Sequence, residues 1–184
     1  VGDPDIQKDG SIVDCAVKEV RNGANHRYPN TKGNENLRIA AAGWHKKRHG
    51  LVFDPDKEIS ILVGSKEGIA HLPLVVMNRG DYCLIPDPTY PTYRTGVVLS
   101  EGRIHDVPLR ESNDFLPDLA GIPQKIVDRA KLFFINYPNN PTGAGATLYF
   151  FKDLVKWARK NGIIIAQDAA YCEIYFDEPP PSIF

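Results

Sequence analysis

Two apolar runs, Leu132-Phe133-Phe134-Ile135 and Ile163-Ile164-Ile165-Ala166, stand on either side of one amphipathic stretch, Leu148 to Lys160, closed by Gly162. Runs of this length read as buried strands, and the longer periodic segment between them as a helix. Strand, helix, strand in that order predicts a parallel pair, because parallel neighbours need a crossover that a hairpin cannot provide. The same rhythm is present upstream. Ile59 to Val63 reads as a strand, and Gly64-Ser65-Lys66 opens a helix running to about Met77. Tyr82 to Pro86 is the next strand, helical residues follow from Tyr93 to Ser100, and Arg103 to Val107 is a strand again. Pro108 to Pro123 reads mostly as loop. The class is therefore α/β with a mostly parallel sheet.

Before residue 59 the pattern is helical. Ile12, Val13, Ala16, Val17 and Val20 recur at helical spacing, with Ser11 as the expected N-cap. A loop from Arg27 to Gly33 leads to a second helix near Asn34, with Leu37, Ala40, Ala41 and Trp44 on one face and an end at Gly50. Lys46-Lys47-Arg48 suits the negative pole of that helix and reads as a solvated end rather than a binding patch. A chain of 184 residues is long enough to bury a core as one domain. Its net charge of −1 gives nucleic acid or a membrane surface no purchase. No apolar run approaches the ~18 residues of a membrane span, and the first residues do not resemble a signal peptide. Cys15, Cys83 and Cys172 are odd in number and without zinc or Cys-x-x-Cys spacing, which predicts buried or half-buried free thiols in a reducing cytoplasm.

In parallel sheets, ligands bind beyond the carboxyl ends of the strands. Ser65, Tyr90, Asn140, Asp168 and Tyr171 are all expected there. Ser65 and Lys66 begin a helix, where backbone N–H groups and the positive pole form an anion site; a plain N-cap is the simpler alternative. Tyr90, between Pro88 and Pro91, is a stiff aromatic able to stack on a planar ligand or to pack on neighbouring loops. Asn140 is aimed by the turn Pro141-Thr142-Gly143. A carboxylate at Asp168 must be solvated, paired or bound to a cation. Facing a pyridine nitrogen, it would keep that nitrogen protonated. No second acid or His lies at metal-ligand spacing. Walker A, Gly-x-Gly-x-x-Gly and Gly-x-Ser-x-Gly patterns are all missing.

With Asn136-Tyr137-Pro138-Asn139-Asn140-Pro141-Thr142-Gly143 and Asp168-Ala169-Ala170-Tyr171 in this order, the chain resembles the fold-type I, pyridoxal-phosphate-dependent aminotransferases of class I and II. The resemblance runs from Gly2 to Phe184 and implies the three-layer α/β/α large domain of that fold. It implies that pyridoxal 5'-phosphate is held at its phosphate by Ser65 and Lys66, stacked by Tyr90, hydrogen-bonded at its phenolic oxygen by Asn140 and Tyr171, and paired at its ring nitrogen with Asp168. It further implies that Tyr28 reaches the phosphate in a partner subunit of a homodimer, and that Gly2 and Asn140 lie near the substrate, an amino acid or a 2-oxo acid. Gly64 to Leu72, Asp87 to Tyr93 and Asp168 to Phe176 are most similar to the LL-diaminopimelate branch of the family.

The family's lysine, which anchors the cofactor covalently and moves the substrate's α-proton, lies some tens of residues beyond the Asp168 position. Here 16 residues follow Asp168, and no lysine has the Ser-x-Ser-Lys context. The resemblance therefore implies a partial large domain over 1–184. Residues 1–50 form a helical lead-in, the C-terminal small domain is absent from this chain, and the chain by itself is inactive. Three alternatives stay open: an aspartate- or alanine-type aminotransferase, a β-lyase or decarboxylase on the same fold, and a truncated, non-catalytic cofactor-binding or interaction module.

Overall fold

The computed structural model describes residues 5–184, in two compact units that divide between Ile61 and Leu62. In the first unit, α1 spans Gly10–Arg21 and α2 spans Glu35–His49, with a 3-10 turn at Gly23–Asn25 between them. Asp9, not Ser11, caps α1: its carboxylate accepts from the Ser11 backbone N–H at 2.8 Å. The helix starts earlier than its apolar periodicity, so a polar residue two positions further out takes the cap. Asn34 caps α2 through the Leu37 N–H, and Gly50 ends it at φ 72°. That left-handed turn costs glycine nothing.

The expected apolar face of α2 is not its buried one. Leu37 is 50% exposed and Trp44 41%, whereas Arg38 is 4% exposed. The Arg38 guanidinium donates to the carbonyls of Gly33 at 2.6 Å and Pro55 at 2.9 Å, and pairs with Asp56 at 2.8 Å. A planar fork satisfied on several sides can be buried where a lone charge cannot. Hydrophobic periodicity is blind to this arrangement.

The second unit opens on α3, Ser65–Val76, and continues β1 (Tyr82–Asp87), α4 (Thr92–Leu99), β2 (Arg103–Pro108), the short α5 (Gln124–Val127), β3 (Ala130–Asn136), α6 (Leu148–Asn161) and β4 (Ile164–Asp168). All four strands are parallel, in the order β2-β1-β3-β4. Side chains alternate across β3. Leu132 and Phe134 join Met77, Cys83, Ile85, Tyr93 and Val97 on one face, and Phe133 and Ile135 join Phe151, Leu154 and Ala158 on the other. The sheet is thus covered on both sides, the three-layer arrangement expected.

Three further expectations change. Ile59 to Val63 is not a strand, because a strand needs a neighbour for its N–H and C=O groups and none is at hand among the described residues. Val63 N–H goes instead to the Glu67 carboxylate, at 2.6 Å. The strand ending at Asp168 is not fully buried: β4 is the outer strand, and Ile164 is 48% exposed. Of the cysteines, Cys83 is buried, with burial pushing its thiol up, Cys172 is half-buried, and Cys15 is exposed because α1 buries none of its residues.

Helices α3 and α4 approach closely at Gly96, where an added methyl would run into the Ala70 carbonyl and come to 3.0 Å from Pro73 Cγ. Gly96→Ala is therefore expected to destabilise by about 1–3 kcal/mol, because backbone cannot yield as a flexible side chain can. Chemical denaturation measures it, and an unchanged midpoint would contradict the close approach. No described helix is long and apolar enough to cross a membrane.

Candidate functional site

The sheet order reverses between β1 and β3: the chain leaves β1 for β2 on one side, and β3 for β4 on the other. Right-handed crossovers in opposite directions put α4 and α6 on opposite faces and open a crevice at the strands' carboxyl ends. A cleft of about 200 Å3 lies there, and Ser65, Lys66, Tyr90, Asn140, Asp168 and Tyr171 all line it. Six residues spread over more than a hundred positions of sequence meet in one place. Tyr28 is in the first unit and fully exposed; Gly2 lies outside the described residues.

Asn136 and Asp168 are register partners at the ends of β3 and β4. The Asn136 side chain joins the two arms of the cleft. Its amide donates to the Asp168 backbone carbonyl at 2.9 Å, and its oxygen accepts from the Asn140 N–H at 2.7 Å. Asn139, 4% exposed, holds the turn from inside: its side-chain oxygen accepts from the Thr142 N–H and hydroxyl, and its amide donates to the Asn136 carbonyl. Beyond this frame, the Asn140 amide donates to the Tyr171 hydroxyl at 3.2 Å. The amide and the phenol are thus side by side, half-buried and directed by backbone that cannot drift.

At α3, Gly64 occupies the N-cap with φ 78°, and no side chain caps the helix. The start of α3 therefore offers backbone donors, the Ser65 hydroxyl and the Lys66 ammonium to the cleft. A hydrogen bond with Thr92, and then the charge of Lys66, which lines the same cleft, hold the Tyr90 phenol below its usual range. Tyr93 and Asn136 are the site residues that sequence reading passed over. Tyr93 has no flag beyond its place in an apolar helix, and the role of Asn136 depends on register. A larger cavity of about 450 Å3 lies beside β2, lined by His105, Arg110 and Asp118 among others. Its polar residues do not converge from several strand ends, so the smaller cleft is the chemical site. Among the described residues, no group of three or more His, Cys, Asp or Glu is placed to hold a metal.

The chain is similar to known proteins over its whole length. It is 50% identical over all 184 residues to the LL-diaminopimelate aminotransferase of Aquifex aeolicus, covering 48% of that protein. Among solved structures it is similar to substrate-bound BacF from Bacillus subtilis, with a TM-score of 0.95 and 34% identity over 99% of this chain and 46% of that one. It is also similar to a probable N-succinyldiaminopimelate aminotransferase from Thermus thermophilus, with a TM-score of 0.93 and 31% identity over 100% of this chain and 49% of that one. The chain spans about half the length of the curated relatives it matches. The profile described as aminotransferase class I and II matches residues 1–183, so nearly every residue here, including all those lining the cleft, falls inside one family pattern: the chain belongs to the class I and II aminotransferases.

Proposed function

We propose that the protein containing this chain is a pyridoxal-phosphate-dependent aminotransferase that moves the amino group of LL-diaminopimelate to 2-oxoglutarate, in lysine biosynthesis. One observation carries the reading: a carboxylate, a bonded amide–phenol pair and an uncapped helix start line a single cleft. That donor set fits the cofactor, which has a basic ring nitrogen, a phenolic oxygen and a phosphate. Relatives at about 50% identity that bear the diaminopimelate name support the substrate.

In this reading, the start of α3 holds the phosphate through backbone N–H groups, the Ser65 hydroxyl and Lys66. Asp168 pairs with the ring nitrogen and keeps its proton in place. Asn140 and Tyr171 donate to the phenolic oxygen, and Tyr90 covers a ring face and excludes water from it. Bound pyridoxal phosphate supplies an electron sink that makes the α-proton of an amino acid removable. The lysine that takes that proton belongs to the half of the protein beyond this chain, as does the group that grips the substrate carboxylate.

Residues 1–184 are then part of a large cofactor-binding domain, led into by the helical residues 1–50. Tyr28 and Gly2 serve a site shared between two subunits of a cytoplasmic homodimer; a native mass of one subunit would sink that arrangement. The substrate is tested with enzyme from the complete gene, LL-diaminopimelate and 2-oxoglutarate, reading glutamate formed. Activity with aspartate or alanine but none with diaminopimelate refutes the substrate. No transamination of any amino acid refutes the function, and a β-elimination product would favour the lyase alternative.

A further inference from the structure

Both oxygens of the Asp168 carboxylate have partners. Oδ2 accepts from the Tyr93 hydroxyl at 2.9 Å, and Oδ1 from the Ala170 backbone N–H at 3.2 Å. Tyr93 reaches this point from the first turn of α4, 75 positions away in sequence. Its ring has no exposure. It lies flat on Phe134 of β3, with centroids 4.7 Å apart and planes within 5°, and it meets Tyr90 edge-on at 5.9 Å. Sheet, helix and stacked ring leave that hydroxyl little freedom to turn elsewhere.

We propose that Tyr93 is a positioning residue of this cleft, holding the Asp168 carboxylate in the orientation in which it pairs with the protonated ring nitrogen of the cofactor. A hydrogen bond to a carboxylate favours the charged form over the neutral acid, and bonds to an ionised acceptor are the stronger kind. The Tyr93 hydroxyl is the donor, and burial and the neighbouring Asp168 push its phenol above its usual range. It remains a donor wherever Asp168 is an acceptor. The competing account is structural: a core tyrosine uses the nearest oxygen to satisfy a buried hydroxyl. The two accounts differ in what the loss of the hydroxyl does to Asp168.

The inference rests on the cleft being a pyridoxal phosphate site, and its test separates the two. The full-length protein, its Tyr93→Phe variant and an Asp168→Asn control are loaded with pyridoxal phosphate carrying 15N at the ring nitrogen. Phenylalanine keeps the ring that stacks on Phe134, so the fold is retained, and thermal melting checks this. Without the hydroxyl, the Asp168 carboxylate is free to turn from the ring nitrogen and holds the proton there less well. The ratio of protonated to neutral nitrogen, read from the 15N shift against the Asp168→Asn limit, is expected to fall about tenfold. The turnover number kcat should fall with it, while KM changes less than about twofold. A Tyr93→Phe protein with the wild-type 15N shift overturns the positioning role, whatever its melting temperature. A wild type that takes up no pyridoxal phosphate overturns the reading of the cleft, and the Tyr93 assignment with it.

Discussion

Asp168→Ala in the complete protein is expected to lower kcat/KM by roughly 10²–10³-fold, the scale of losing one preorganised electrostatic group. The reason is local. Asp168 ends β4, and its backbone carbonyl is tied to Asn136 while its carboxylate is tied to Tyr93 and Ala170. Removing the carboxylate leaves the backbone bond to Asn136 in place, so the strand end should keep its position. What is lost is the anion that keeps a ring nitrogen protonated. Far-ultraviolet circular dichroism should be unchanged, and steady-state kinetics with saturating cofactor measure the defect. Turnover within about threefold of wild type would remove Asp168 from the role given to it, since a loss that small is within what a packing change produces.

Phe133→Ala carries the largest expected cost to stability, about 3–5 kcal/mol. Phe133 has no exposure, lies on β3 between two paired strands, and meets Trp157 of α6 edge-on at 6.2 Å. The sheet holds both walls of that site, so the cavity cannot collapse and the lost contacts are not recovered. Denaturant unfolding should show a lowered midpoint at unchanged slope. A loss below about 1 kcal/mol would mean that the layer of α6 is looser than its burial indicates. Asn136 is three residues further along the same strand. Cofactor release should therefore quicken in this variant, although the substitution touches nothing in the cleft.

Much of the second unit was legible in advance because its signals are local. Gly162 ends α6 with φ 66°, as its place after the amphipathic stretch indicated, and β3 is the buried strand that its apolar run described. The cleft was legible for a related reason. A parallel strand delivers its last residues to one edge of the sheet, so Asn140, Asp168 and Tyr171 could be assigned to a common rim before any strand was paired. Ile59 to Val63 failed on the same physics. Its composition suits a strand, but a strand exists only with a partner, and pairing is not written in the segment that needs it. Arg38 failed differently: period and hydropathy register what a side chain is, not how many carbonyls converge on it.

The sequence by itself determined the alternation of strands and helices, the end of the sheet at which chemistry gathers, and the family to which that pattern belongs. These depend on periodicity, turn residues and short motifs, all carried by neighbours in the chain. Only the tertiary structure decided that Tyr93 grips Asp168 across 75 residues and that Asn136 ties β4 to the Asn140 turn. It also decided that β4 is an outer strand with Ile164 half in solvent. Each of these is a contact between distant segments, set by how strands register and how helices lie on the sheet. A hydrogen bond of that kind depends on about an ångström of geometry, which the order of residues alone does not contain.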